Sequence, residues 1–163
     1  MMFESHALGG TGMADDSLSD AERMQIEWRC TQLVNRFALL NDACEYEALA
    51  ATFTEDGVFA RPTIPDQPMV GRQTILEQFR KRPPRTIRHL MANVVVTAES
   101  ADRASGVCYM ILYSGPALAE GEKGPPKVDG PALIGAFHDT FHKVGGEWLF
   151  ARRQGSLALS VGG

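Results

Sequence analysis

The apolar positions at the start of the chain recur with helical spacing. Ser19, Asp20, Ala21 and Glu22 form a capping-box sequence, in which the side chains of the first and fourth residues satisfy free amide groups at a helix N-terminus. Behind this box, apolar residues follow every three or four positions: Ile26, Cys30, Leu33, Val34, Phe37 and Leu40. The pattern predicts one long amphipathic helix that ends near Asn41.

Two shorter helical patterns follow. The first covers about residues 45–53. The second begins after Gly71 and is stopped by Pro83-Pro84, because proline lacks a backbone N–H and clashes with the preceding turn. Between these helices, Asp56-Gly57 predicts a turn, and Val58 is expected to start a strand after it.

From Thr86 onward, the pattern is that of β-strands. Runs of β-branched and apolar residues predict four long strands, at 87–97, 106–113, 132–143 and 147–159. A long Gly- and Pro-rich loop is expected at 114–131, and tight connections are expected at 99–103 and at Gly145-Gly146. Helices first and an antiparallel meander afterwards predict a single α+β domain over residues 19–163. Residues 1–18 lack apolar periodicity and are expected to be a disordered leader.

Alternation of side chains predicts two apolar faces on the last strand. The expected sets are Leu149, Ala151 and Arg153 on one face, and Trp148, Phe150 and Arg152 on the other. One face should cover the core. The other needs a cover that a chain of this length does not supply, so we expect a homo-oligomer, a dimer or a trimer.

Composition and charge narrow the class of protein. A length of 163 residues predicts one domain, and a formal net charge of -4 disfavours nucleic-acid binding. No apolar run is long enough for a membrane span. The three cysteines, at wide spacing, fit neither a disulfide framework nor a zinc site, and we interpret them as free thiols in the reducing cytoplasm. The basic run 80–85 is interpreted as a solvated helix end.

Several short motifs together resemble the nuclear transport factor 2-like superfamily, which includes SnoaL-like proteins. The clearest is the segment 48–59, a helix that runs into the sequence F-T-E-D-G-V-F. Gly71-Arg72 before the third helix and Gly146-Glu147-Trp148 before the last strand also match. The resemblance implies a curved antiparallel sheet packed against N-terminal helices around a cone-shaped pocket. It implies less about function, because such a fold hosts many activities.

Within that superfamily, the chain is most similar to the scytalone dehydratase and hexachlorocyclohexane dehydrochlorinase subgroup. The resemblance implies three catalytic residues: Asp42, His89 and Arg153. In that pattern, the aspartate supports the histidine as base, and the arginine stabilises a departing anion without a cofactor. Predicted substrate-binding residues are Tyr46, Phe59, Phe79, Met91, Asn93, Tyr109 and Phe137. The chain departs from the dehydratase pattern at 107–113, which lacks a second histidine.

The chemistry of these residue types supports the same hypothesis. A histidine titrates near neutral pH, and a neighbouring carboxylate fixes its tautomer, so the pair suits general-base catalysis. On the face of the strand that carries His89, alternation also places Met91, Asn93 and Val95. His138 and His142 lie on one predicted strand about 13 Å apart, too far for one metal ion. We therefore expect neither metal nor cofactor.

Four functions remain open from the sequence. The first is a lyase, of dehydratase or elimination type, acting on a small cyclic hydrophobic substrate. The second is an isomerase of the ketosteroid isomerase type. The third is a non-catalytic protein that binds a small hydrophobic ligand. The fourth is a structural subunit similar to the β subunits of ring-hydroxylating dioxygenases.

Overall fold

The computed structural model describes residues 18–162, which form three helices and six strands. In chain order these are α1 Asp20–Asp42, α2 Tyr46–Ala50, β1 Phe53–Ala60, β2 Met69–Val70, α3 Arg72–Arg80, β3 Arg85–Ala98, β4 Arg103–Pro116, β5 Ala132–Val144 and β6 Glu147–Val161. The strands form one sheet in the order β2-β1-β6-β5-β4-β3, and the buried stripe of α1 joins the same core as the inward side chains of the strands. All neighbouring strands are antiparallel except β1 and β6, which are parallel. The predicted α+β architecture is confirmed.

Helix α1 begins at the predicted capping box. The Glu22 amide donates to the Ser19 hydroxyl over 3.3 Å, and the Ser19 amide donates to the Glu22 carboxylate over 2.9 Å. The buried stripe matches the periodicity of the sequence: Ile26, Cys30, Leu33, Val34, Phe37, Ala38 and Asn41. Because the stripe continues to the last turn, the C-terminal end of α1 is held against β3, where the candidate site lies.

An aromatic cluster fills the core between α1 and the sheet. Phe37 lies at its centre, with four phenylalanine rings at centroid distances of 5.5 to 6.3 Å, all in edge-to-face geometry. Such pairs add about 0.5–1.5 kcal/mol each beyond the burial of their area. The phenylalanine rings of the cluster fill the space between α1 and one end of the sheet.

The Asp56-Gly57 pair does not form the predicted turn. Strand β1 runs through it from Phe53, and the pairing of β1 with β6 shifts register between Phe53 and Val58. A Cβ atom at Gly57 would lie 2.9 Å from the Phe53 Cβ, so glycine is needed for the bend. Residues typical of turns here mark a bulge inside a strand. The second helix is correspondingly shorter than predicted and ends at Ala50.

Two further bulges overturn the predicted strand faces. In β6, Phe150 pairs with Phe141 while Arg152 pairs with Thr140, so Ala151 is an extra residue. Arg153 is therefore buried on the same inner face as Trp148 and Phe150, and Arg152 is exposed. In β3, Ala92 pairs with Tyr109 and Val95 with Val107, so one residue is extra around Asn93, whose φ is +50°. Asn93 and Val95 are consequently exposed, although alternation predicted that they share a face with His89.

The predicted leader lies outside the described residues except for Leu18, which packs against the core. Among residues 18–162, no helix has the length and apolar character needed to cross a bilayer.

Candidate active site

One cavity of about 270 Å³ lies on the concave side of the sheet, beyond the aromatic cluster. Its apolar wall comes mainly from strands and from the last turns of α1: Phe37, Phe59, Ile87, Met110, Leu112, Leu133, Phe137 and Leu157. Its polar and charged lining residues are Asn41, Cys44, Tyr46, Arg61, Thr63, Arg82, Arg85 and His89. A mostly apolar hollow with a few convergent polar groups is typical of a small-molecule site.

Asp42 and His89 meet at this cavity. The Asp42 Oδ1 atom lies 2.6 Å from His89 Nδ1, and the other carboxylate oxygen accepts a hydrogen bond of 2.9 Å from the His89 amide. The two contacts fix the carboxylate relative to both the ring and the backbone of β3. Both side chains are largely buried, with 10% of Asp42 and 12% of His89 exposed. The structure thus brings together two of the three predicted catalytic residues.

The position of Asp42 is unfavourable unless His89 is present. It is the last residue of α1, where the helix dipole disfavours a negative charge, and no basic residue lies in that last turn. The contact with His89 offsets this cost. A carboxylate can only accept, so this contact selects the tautomer with the proton on Nδ1, and in that tautomer Nε2 has the lone pair on a ring that lines the cavity.

Arg153 does not reach the cavity lining, contrary to the prediction. Its Nη1 donates to Asp139 Oδ2 over 2.6 Å, and its guanidinium carbon lies 4.0 Å from the centroid of Phe137 and 4.7 Å from that of Phe37. It is completely buried, behind the aromatic side chains that form the cavity wall. Burial raises the pKa of Asp139 to about 6, while Arg153 opposes the rise. Arg153 is therefore a buried core residue that forms an ion pair with Asp139.

The predicted substrate-binding residues divide into three groups. Tyr46, Phe59 and Phe137 line the cavity. Phe79 is buried in the core and Met91 packs against that core, so neither belongs to the lining. Asn93 and Tyr109 are exposed, because the bulge displaces the former and the latter points to the outer face of the sheet.

The arginines of the cavity lining were not predicted. In the basic run 80–85, Arg80 pairs with Glu47 at the surface, as expected of a solvated helix end. Arg82 and Arg85 instead line the cavity. The available signal was Pro83-Pro84, since a proline pair ends the helix and sends the chain directly into the strand that carries His89. Arg61, at the end of β1, had no such signal.

The histidines of β5 lie away from the cavity. His138 is exposed on the outer face, and His142 Nε2 lies 3.3 Å from Arg103 Nη1. Of the part of the chain that the structure describes, no three His, Cys, Asp or Glu side chains are placed to hold one metal ion.

Comparison with solved structures identifies the fold. A Novosphingobium aromaticivorans protein provisionally assigned as a scytalone dehydratase superposes with a TM-score of 0.68, at 20% identity over 85% of this chain and 87% of its own. ActVI-ORFA from Streptomyces coelicolor gives 0.62, at 19% identity over 80% and 95%. An NTF2-like protein with a cystatin-like fold, also from N. aromaticivorans, gives 0.58, at 23% identity over 82% and 80%. At such identities these similarities show the fold alone.

No curated protein matches this chain. The model of the SnoaL-like domain matches residues 22–154, which include all of α1 except its first two residues, the whole of α2 and α3, and both members of the Asp42–His89 pair. The chain belongs to the SnoaL-like domain family.

Proposed function

We propose that this protein is a cofactor-free lyase in which His89 removes a proton from a small cyclic hydrophobic substrate. The observation that carries the proposal is the 2.6 Å contact between Asp42 and a histidine that lines an apolar cavity. The neighbour provisionally assigned as a scytalone dehydratase, at 20% identity, supports the fold only, so the proposed chemistry rests on the residues of the site.

The proposed step is an elimination. His89 Nε2 takes the proton from a carbon next to a carbonyl group, the C–H electron pair forms a C=C bond, and the bond to a leaving group on the neighbouring carbon breaks with its electron pair. A hydroxyl group leaves as water with a proton from Tyr46, and His89 then gives its proton to solvent as the Tyr46 oxygen takes one back. Asp42 stabilises the imidazolium that forms, because its carboxylate remains beside Nδ1–H throughout the step. General-base catalysis of this kind contributes roughly 10²–10⁴-fold to a rate.

Tyr46 is the proposed proton donor to the leaving group. The strand that carries a second histidine in the dehydratases here presents Met110 and Leu112 to the cavity. Tyr46 lines the same cavity, and burial raises the pKa of its phenol, so the hydroxyl keeps its proton at neutral pH. An isomerase would use the same dyad, with the proton returned to a different carbon of the substrate.

Proton abstraction can be tested without knowledge of the leaving group. The measurement is hydrogen–deuterium exchange at the α-carbon of cyclic ketones in D2O, followed by NMR, together with turnover of cyclic β-hydroxy ketones. His89→Gln should lower exchange at least 10²-fold, and Asp42→Asn should lower it substantially, since the tautomer is no longer fixed. His138→Gln is the matched control, because that histidine is exposed on the outer face.

The same assay separates the alternatives. Exchange with loss of a β-substituent supports the lyase, and exchange with double-bond migration supports the isomerase. Tight ligand binding with no exchange in the wild type would favour a binding protein. Unchanged exchange in folded His89→Gln protein would refute the proposed base.

A further inference from the structure

Two arginines, Arg61 and Arg82, line the same cavity. They come from separate elements, Arg61 from the end of β1 and Arg82 from the residues after α3. Burial lowers the pKa of both groups, and the charge of Arg61 lowers that of Arg82 further, to about 10. A guanidinium group remains protonated in proteins at neutral pH, so the two like charges lie near enough to repel each other.

Neither guanidinium has a carboxylate partner among the described residues. The arginine ion pairs in residues 18–162 are Arg72–Glu55, Arg80–Glu47, Arg85–Asp129 and Arg153–Asp139. Burying a charge is costly unless it is paired, and the completely buried Arg153 follows that rule. Arg61 and Arg82 do not follow it, although burial affects both.

The contacts that the two groups do make leave donors free. Arg82 lies with its guanidinium carbon 3.7 Å from the Phe79 centroid, and its Nη1 donates to the Asn41 side chain over 3.2 Å. Arg61 makes one long hydrogen bond of 3.4 Å from Nη2 to the Gln78 carbonyl, and its buried Nε has no partner. Stacking on Phe79 and the bond to Asn41 fix Arg82 in place without neutralising it.

We propose that Arg61 and Arg82 form an anion-binding subsite and that the ligand of this cavity is a small hydrophobic carboxylate. A carboxylate matches the planar donors of a guanidinium in a two-point contact, and its charge would offset the repulsion between the two arginines. The remaining lining is apolar and suits an alicyclic or aromatic ring. The inference names the substrate class of the proposed function and rests on the same cavity.

Calorimetric titration of the whole protein tests the subsite with two pairs of probes, benzoate against benzamide and cyclohexanecarboxylate against its amide. Each pair has the same shape, and only the acid is charged. The wild type should bind each acid at least about tenfold more tightly than its amide. Arg82→Met and Arg61→Met should each remove most of that preference, because they weaken binding of the acid far more than binding of the amide.

Two controls make the result specific. Arg88→Met removes an arginine on the same strand as His89 that is exposed and lies outside the cavity lining, and it should leave the preference intact. His89→Gln should also keep the preference while abolishing proton exchange, so a failure of the subsite and a failure of the proposed base give different results. Should Arg82→Met not fold, Arg82→Gln and Arg61→Met answer the same question.

Three results would overturn the subsite. They are equal binding of acid and amide, an unchanged preference in both arginine variants, and no binding of either acid by wild-type protein at millimolar concentration.

Discussion

The buried pair of Arg153 and Asp139 should be essential for stability, and its two members should be strongly coupled. Arg153 is completely buried and Asp139 is 3% exposed, with 2.6 Å between Nη1 and Oδ2. Replacing Arg153 by methionine would leave the Asp139 carboxylate in the core without its cation. Removing one partner of a buried pair costs about 3–5 kcal/mol, and we expect Arg153→Met to fall in that range.

The double variant should be less destabilised than either single one. Asp139 Oδ1 and Arg153 Nε both lack partners, so the polar groups of the pair are incompletely satisfied even in the wild type. Replacing both residues by apolar ones, Arg153→Met with Asp139→Leu, removes the two charges together and leaves methionine among the rings that now surround the guanidinium. Such replacements of buried pairs are often near neutral. The coupling free energy is the sum of the two single costs minus the cost of the double variant, so we expect it to exceed about 3 kcal/mol.

Urea unfolding at pH 7, monitored by circular dichroism, measures these free energies. Arg152→Met is the matched control, since that neighbour is exposed and bonds only to Gln154, and it should change stability by less than about 0.5 kcal/mol. Additive effects of the two single substitutions would show that the pair is not coupled. A stable Arg153→Met protein that lacked proton exchange would contradict the core role and restore the catalytic one.

Two further predictions concern Asp139 and the outer face of the sheet. Burial raises the pKa of Asp139 in the folded state to about 6, above its ordinary value of 3.8, so between about pH 4 and pH 6 the folded state binds this proton more tightly than the unfolded state. The contribution of Asp139 to the free energy of unfolding therefore falls as the pH rises through that range. The difference in free energy of unfolding between wild type and Asp139→Asn should show this slope. A slope of the opposite sign would contradict it. The side chains of Val95, Tyr109 and Leu159 are more than half exposed on the outer face of the sheet, as expected of a surface that a second copy covers. Light scattering should therefore give a mass that is a multiple of 17.8 kDa, and Tyr109→Glu should lower that mass. A wild-type monomer at micromolar concentration would refute the homo-oligomer.

The sequence predicted those parts of the fold that depend on local periodicity. The capping box at Ser19 and the apolar stripe of α1 are confirmed, because both follow from contacts within a few residues. The antiparallel meander of β3 to β6 is confirmed for the same reason, since tight connections join β3 to β4 and β5 to β6. The meeting of Asp42 and His89 followed from the resemblance, and the end of α1 beside β3 is its structural basis.

Predictions that relied on strand alternation failed at bulges. One inserted residue reverses every side chain beyond it, so Ala151 was enough to place Arg153 on the face of Trp148 and Phe150 and not on that of Leu149. Alanine gives no signal for a bulge. Asn93 gives a weak one, because asparagine tolerates positive φ better than most residues. The place of Arg82 in the cavity lining was not predicted for a different reason. A basic helix end is usually solvated, and only the course of the chain after Pro83-Pro84 directs this residue toward the cavity.

The balance of charge around the cavity links the proposed base to the proposed subsite. The proposed base requires an ionised Asp42 and a neutral His89, and in that form the dyad carries one negative charge, while Arg61 and Arg82 together carry two positive ones. Arg85 and Arg153 add little, because Asp129 and Asp139 pair with them. One carboxylate ligand would therefore make the site neutral before the reaction. Transfer of the substrate proton to His89 creates two new charges, the imidazolium next to Asp42 and the oxyanion that develops on the substrate. The other charges of the site are already balanced before this step.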